Sequence, residues 1–137
     1  MNSNIFFLDT GYLIALEASN DKNHTRAKNH WQNLIRSRPS LVTTSFVFDE
    51  VVTFFNSRNR HDKAIEVGSR LLNSPSIQLI QVDDSLFRKG WEYFEQHSDK
   101  LYSLTDCISF VVMQQRKIQT ALTFDRHFTQ ANFLTIP

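Results

Sequence analysis

A chain of 137 residues with a formal net charge of +1, five histidines and a single cysteine has the size of one domain, residues 1–137, able to bury its own core. The lone Cys107 excludes an internal disulfide, the near balance of charge excludes attachment to nucleic acid by bulk charge alone, and no apolar run is long enough to span a bilayer. With no secretory signal in view, a reducing cytoplasm is the expected compartment and no membrane the expected partner.

Asn4 to Leu8 reads as a buried parallel strand, being a short continuous apolar run with polar bounds. Thr10 to Leu16 then forms a short helix, and Lys22 to Ile35 a second, with Ala27, Trp31, Leu34 and Ile35 inward and Pro39 beyond its end. Leu41 to Thr43 is the next strand. Ser45 is the expected N-cap of a helix bearing Val47, Val51, Phe54 and Phe55, and Asp62 to Leu72 makes another with Ala64, Gly68, Leu71 and Leu72 inward. Ile77 to Val82 is a third strand, followed by a helix capped by Asp83 or Asp84 and reaching about His97. Thr105 is the expected cap of a helix carrying Ile108, Val111 and Val112, and Gln119 to Leu122 and Phe133 to Leu134 are the last strands. Alternating strands and helices predict an α/β fold with a central parallel sheet.

Four acids stand where these elements change: Asp9 ends the first strand, Glu50 lies beside the apolar stripe of its helix, Asp106 is at a helix start, and Asp125 follows Thr120 to Phe124. In open α/β sheets the ligand crevice lies beyond the carboxyl ends of the strands, so Asp9 and Asp125 are placed to converge there. Spacing alone barely separates Glu50 from Asp49, one helical step of about 100° away. For Asp106, helix capping is the commoner fate. Two carboxylates about 4 Å apart repel by roughly 4 kcal/mol at an effective dielectric of about 20, so four together require a cation or shared protons. Oxygen donors select Mg²⁺ or Mn²⁺; the scattered histidines His24, His30, His61, His97 and His127 show no paired ligand spacing and read as surface or packing residues.

Three hydroxyls, those of Thr10, Thr105 and Thr123, adjoin or lie close to these acids and are candidates to orient them or touch phosphate, with ordinary caps as the alternative. Arg126 is placed to meet substrate or to pair with Asp125. Local basic candidates for phosphate are Lys22, Arg26 and Lys28, and Arg58, Arg60 and Lys63. Trp31 and Trp91 read as core or dimer contacts. A phospho-receiver domain is disfavoured by the lack of an acidic pair at the first strand end, an aspartyl phosphatase by Gly11 where its second acid belongs, and dinucleotide binding by the lone Gly11.

The segments Phe7 to Leu16, Thr43 to Val51, Ser103 to Phe110 and Ala121 to Phe128, in that order and spacing, resemble the PIN-domain ribonucleases, in particular the VapC-like toxins of type II toxin–antitoxin systems. The resemblance covers nearly the whole chain and favours Glu50 over Asp49. It implies a three-layer α/β/α fold and a Mg²⁺- or Mn²⁺-dependent endoribonuclease with Asp9, Glu50, Asp106 and Asp125 at its centre. It further implies an RNA substrate, a small antitoxin partner and a homodimer. A housekeeping RNA-processing nuclease and a domain that only binds RNA or a partner are the other readings.

Overall fold

The computed structural model describes residues 4–137, and among these the chain forms five parallel strands and seven α-helices. The strands are β1 (Ile5–Leu8), β2 (Ser40–Thr44), β3 (Ile77–Ile80), β4 (Thr120–Leu122) and β5 (Leu134–Ile136). The helices are α1 (Thr10–Glu17), α2 (His24–Leu34), α3 (Ser45–Ser57), α4 (His61–Asn73), α5 (Asp84–Gln96), α6 (Leu104–Arg116) and α7 (His127–Gln130). The sheet order is β3-β2-β1-β4-β5. The chain therefore steps from β1 outward through β2 to β3, then crosses back to place β4 on the other side of β1. That reversal between β1 and β4 is a topological switch point, and it opens a crevice at the carboxyl ends of those two strands.

Burial explains why the central strands are continuous apolar runs. Phe7 and Leu8 point to opposite faces and are both fully enclosed, so both faces of β1 are covered, while Val42 and Ala121 flank Phe7 within the sheet. The helix α6 lies against this core along most of its circumference: Cys107, Ile108, Phe110, Val111, Val112 and Met113 are all buried. Its close neighbour is α5, where Gly90 meets it; a Cβ on Gly90 would stand 2.4 Å from Ile108 Cγ1. The two helices can approach this closely only because that position carries no side chain.

Several expected boundaries and caps shift. Thr44, not Ser45, caps α3: its backbone is extended and its hydroxyl accepts the Val47 N–H at 3.2 Å, while Ser45 Oγ accepts the Val82 N–H instead. Ser103, not Thr105, caps α6, because the reciprocal bonds between Ser103 and Asp106 close a capping box that Thr105 cannot form. Of the two candidates before α5, Asp83 is the cap. Leu72 is 60 % exposed, since the buried stripe of α4 runs through Ala64, Val67, Gly68 and Leu71. Ile35 is likewise exposed, in a 3-10 turn (Ile35–Ser37) that follows α2. The last strand begins one residue later than expected and runs to Ile136, because its register pairs Leu134 with Thr120 and Ile136 with Leu122.

Candidate metal centre at the carboxyl end of the sheet

The crevice between β1 and β4 is closed at its base by one hydroxyl. Asp9, immediately after β1, donates its main-chain N–H to the Leu122 carbonyl at 3.1 Å, extending the ladder by one residue and pinning its side chain at the strand end. Thr123 Oγ1 donates to Asp9 Oδ2 at 2.7 Å and accepts the Asp125 N–H at 2.9 Å. Thr123 thus fixes two of the acids at once, across 114 residues of chain in the case of Asp9.

Asp106 enters from the first turn of α6. Its Oδ2 accepts the Ser103 N–H at 3.2 Å, and the same oxygen lies 3.1 Å from His127 Nδ1. The capping role expected for this residue is therefore real and coexists with a place in the cluster. Asp125 Oδ1 accepts the His127 N–H at 2.9 Å and lies 3.3 Å from the His127 ring nitrogen. Asp106, Asp125 and His127 each present a ligand atom within 4.8 Å of the others. That is the spacing a single ion spans.

Burial makes the charge here costly. Asp9 is 5 % exposed, and loss of water pushes its carboxyl up to about 7, with the Thr123 hydroxyl bond partly opposing and the charges of Asp106 and Asp125 adding to the rise. Asp106, 8 % exposed, is also raised, first by burial; the bonds from Ser103 and His127 pull it down and the charge of Asp125 pushes it up. A cation would offset both the burial and the mutual repulsion; Asp106, Asp125 and His127 offer it two carboxylates and an imidazole, while Asp9 lies outside that group and is tied to Asp125 through Thr123.

The remaining sequence candidates divide. Glu50 is exposed at the rim, outside the Asp106, Asp125 and His127 group, and its Oε1 accepts the Thr10 hydroxyl at 2.6 Å. Asp49 faces along its own helix to Thr53. The Thr10 hydroxyl donates to Glu50 and the Thr123 hydroxyl to Asp9; the Thr105 hydroxyl bonds to no acid among the described residues, and its carbonyl accepts from Ser109. Arg126 forms no ion pair with Asp125 among the described residues, whose partner is His127. His127, expected at the surface or in packing because it stands in no paired histidine spacing, instead joins the cluster. The signal that would have found it is the short Asp125-Arg126-His127 stretch, where an aspartate caps the residue two places on and turns its ring back toward the carboxylate.

With this geometry in view, residues 6–134 match the PIN domain family. The chain belongs to the PIN-domain family. This PIN domain is 31% identical over 132 residues to the 23S rRNA-specific endonuclease VapC20 of Mycobacterium tuberculosis, in strains CDC 1551 / Oshkosh and ATCC 25618 / H37Rv, covering 96% of the chain and 98% of the relative. It superposes on the crystal structure of that VapC20, a sarcin-ricin loop cleaving toxin, with a TM-score of 0.84 over 95% of this chain and 96% of the other. A more distant likeness, 12% identical with a TM-score of 0.70 over 96% and 97% of the two chains, is to VapBC2 from Rickettsia felis bound to a promoter DNA fragment; it shows the fold alone. The three-layer α/β/α architecture is the PIN fold.

Proposed function

We propose that this PIN domain is a divalent-metal-dependent endoribonuclease, the toxin of a toxin–antitoxin pair, with a structured ribosomal RNA as its substrate. The observation that carries the reading is the convergence of Asp9, Asp106 and Asp125, with His127, at the switch-point crevice. The 23S rRNA specificity of a relative that aligns over almost its whole length supports the substrate class.

A Mg²⁺ or Mn²⁺ ion bound there would polarise the scissile phosphate and make a water nucleophilic near neutral pH. Asp9, Asp106 and Asp125 would hold it, with His127 as a fourth donor or as the clamp that sets the two outer carboxylates. Thr123 keeps Asp9 and Asp125 in register through its two hydrogen bonds. Ser103 holds Asp106 by the capping box, so the ligand sits on a rigid helix start rather than on a loop. Glu50, oriented by Thr10 and open to solvent, is placed to position an attacking water at the rim. An antitoxin and a second copy of the chain complete the assembly; the exposed Phe87, Trp91 and Phe94 of α5, with Trp91 stacked on Phe94, support a face that pairs with another copy.

The test is incubation of the purified protein with intact ribosomes and with 23S rRNA fragments, in Mg²⁺, in Mn²⁺ and in chelator, beside an Asp9→Asn/Asp106→Asn control. Discrete cuts that need metal and vanish in the control are expected. Equal cutting in chelator, or by the control, would overturn the mechanism.

A further inference from the structure

Five of the fifteen lysines and arginines form ion pairs with carboxylates among the described residues. Arg60 pairs with Asp62, Lys63 and Arg70 pair with Glu17 and Glu66, Arg88 with Asp84, and Lys100 with Asp99. Arg58 lies over the Phe54 ring, 3.7 Å from its centroid. The Arg58, Arg60, Lys63 segment is thus largely spent on the protein itself, and Lys28 lines a separate cleft that also holds Glu17.

Lys22, Arg26 and Arg126 are set apart from the other unpaired cations by lining clefts that Asp125 also borders. They form no ion pair among the described residues, and the fold gathers them from two distant stretches of chain around Phe124, one residue before Asp125. The Arg26 guanidinium stands 5.5 Å from the Phe124 ring centroid and donates to the Pro137 main-chain oxygen at 3.3 Å. Phe124 is itself stacked on the buried Tyr12, 6.0 Å between centroids, whose hydroxyl meets His30 at 2.9 Å. The guanidinium therefore rests on a ring that is backed by the core. Two clefts meet here: one of about 460 Å³ bordered by Gly11 and Lys22, another of about 210 Å³ bordered by Arg26 and Thr129, both sharing Phe124, Asp125 and Arg126. Both open beside the acidic cluster.

An RNA strand approaching three carboxylates is repelled unless positive charge flanks its path. We infer that Lys22, Arg26 and Arg126, set around Phe124, form the site that holds backbone phosphates of the RNA segment next to the cleaved bond. The inference rests on the nuclease reading above and assigns this flank, rather than the α3–α4 flank, to substrate.

Binding of a fluorescent single-stranded oligoribonucleotide tests it, measured between 50 and 200 mM salt with Mg²⁺ in an Asp9→Asn background that blocks cleavage. Each lost phosphate contact lowers the salt slope by about 0.7 for a single strand. Lys22→Ala/Arg126→Ala should therefore lose about sevenfold less affinity over that range than the background protein, a slope change of about 1.4. Both side chains are exposed and make no ion pair among the described residues, so the melting temperature should hold. Arg26→Lys should keep most of the slope. Arg36→Ala/Arg38→Ala, which removes two exposed arginines outside both clefts, should keep all of it. An unchanged slope in the Lys22/Arg126 variant, or an equal fall in the Arg36/Arg38 variant, overturns the inference while cleavage of 23S rRNA by the unaltered protein leaves the nuclease reading standing. Failure of that cleavage removes both.

Discussion

Replacing Asp9 by Asn should make the metal-free protein more stable at pH 8 even as it abolishes function. In the unfolded chain this carboxyl ionises near 3.8; in the fold burial holds it at about 7. The folded state thus keeps a proton that the unfolded chain has released, so stability is full below pH 4 and falls as pH rises to 7, by about 4 kcal/mol in all. Asparagine removes the charge and retains an oxygen to accept from Thr123, but its amide N–H groups lack acceptors in this pocket, at a cost of about 1–2 kcal/mol. The net gain at pH 8 is about 2 kcal/mol, a rise in Tm of roughly 6–10 °C. At pH 4 the gain should disappear. Urea unfolding in chelator at both pH values measures this, and adding Mn²⁺ at pH 8 should stabilise the unaltered protein and leave the variant nearly unmoved. A variant less stable than its parent at pH 8, or equally shifted at both pH values, would refute the account of Asp9 as a strained buried carboxylate awaiting a cation.

His127→Ala frees both Asp106 Oδ2 and Asp125 Oδ1 from the imidazole, and should weaken Mn²⁺ binding by about 10–100-fold in calorimetric titration while changing the melting temperature little, since the ring is only partly buried. Gly90→Ala gains roughly 1 kcal/mol of helix propensity yet drives a methyl into Ile108. Parting α5 from α6 should cost about 1–3 kcal/mol, so denaturant midpoints should fall or, at most, stay level; a clear rise would show that the two helices have slack between them.

What the sequence disclosed and what it withheld follow from the range of the forces involved. Strand-end acids were legible because an apolar run ending in a carboxylate is a local pattern, as Ile5 to Asp9 and Thr120 to Asp125 show. Helix α6 was legible because Ile108, Val111 and Val112 recur on a stripe, and all three are buried. Caps were not, since Thr44 and Ser45 are chemically alike and only the turn into α3 decides which hydroxyl faces the Val47 amide. The same holds for Ser103 over Thr105, both hydroxyls standing just before Asp106, of which only Ser103 has the three-residue spacing that closes the capping box. The exposure of Leu72 depends on how α4 rolls against α3, where Gly68 meets Phe48 and Val52. His127 joined the site through a turn of two residues and a contact with a helix 21 residues earlier, which no ligand-spacing rule anticipates. The basic cleft required knowing that Lys22 and Arg26 meet Arg126 around Phe124 in space.

The Thr123–Asp9 bond has a bearing on the birth of the protein as well as on its chemistry. Its acid leaves the ribosome 114 residues before its hydroxyl, and β1 stays without one neighbour until β4 emerges to lie beside it. Asp125 and His127 come later still. A nascent or prematurely terminated chain therefore carries Asp9, Glu50 and even Asp106 without a crevice to gather them, and should cut nothing. Pairing of such sequence-distant strands is a late event in folding, so the acidic cluster is assembled only once β4 lies beside β1. On the proposed nuclease reading, the nascent chain carries no assembled centre until β4 and the turn from Asp125 to His127 have been made.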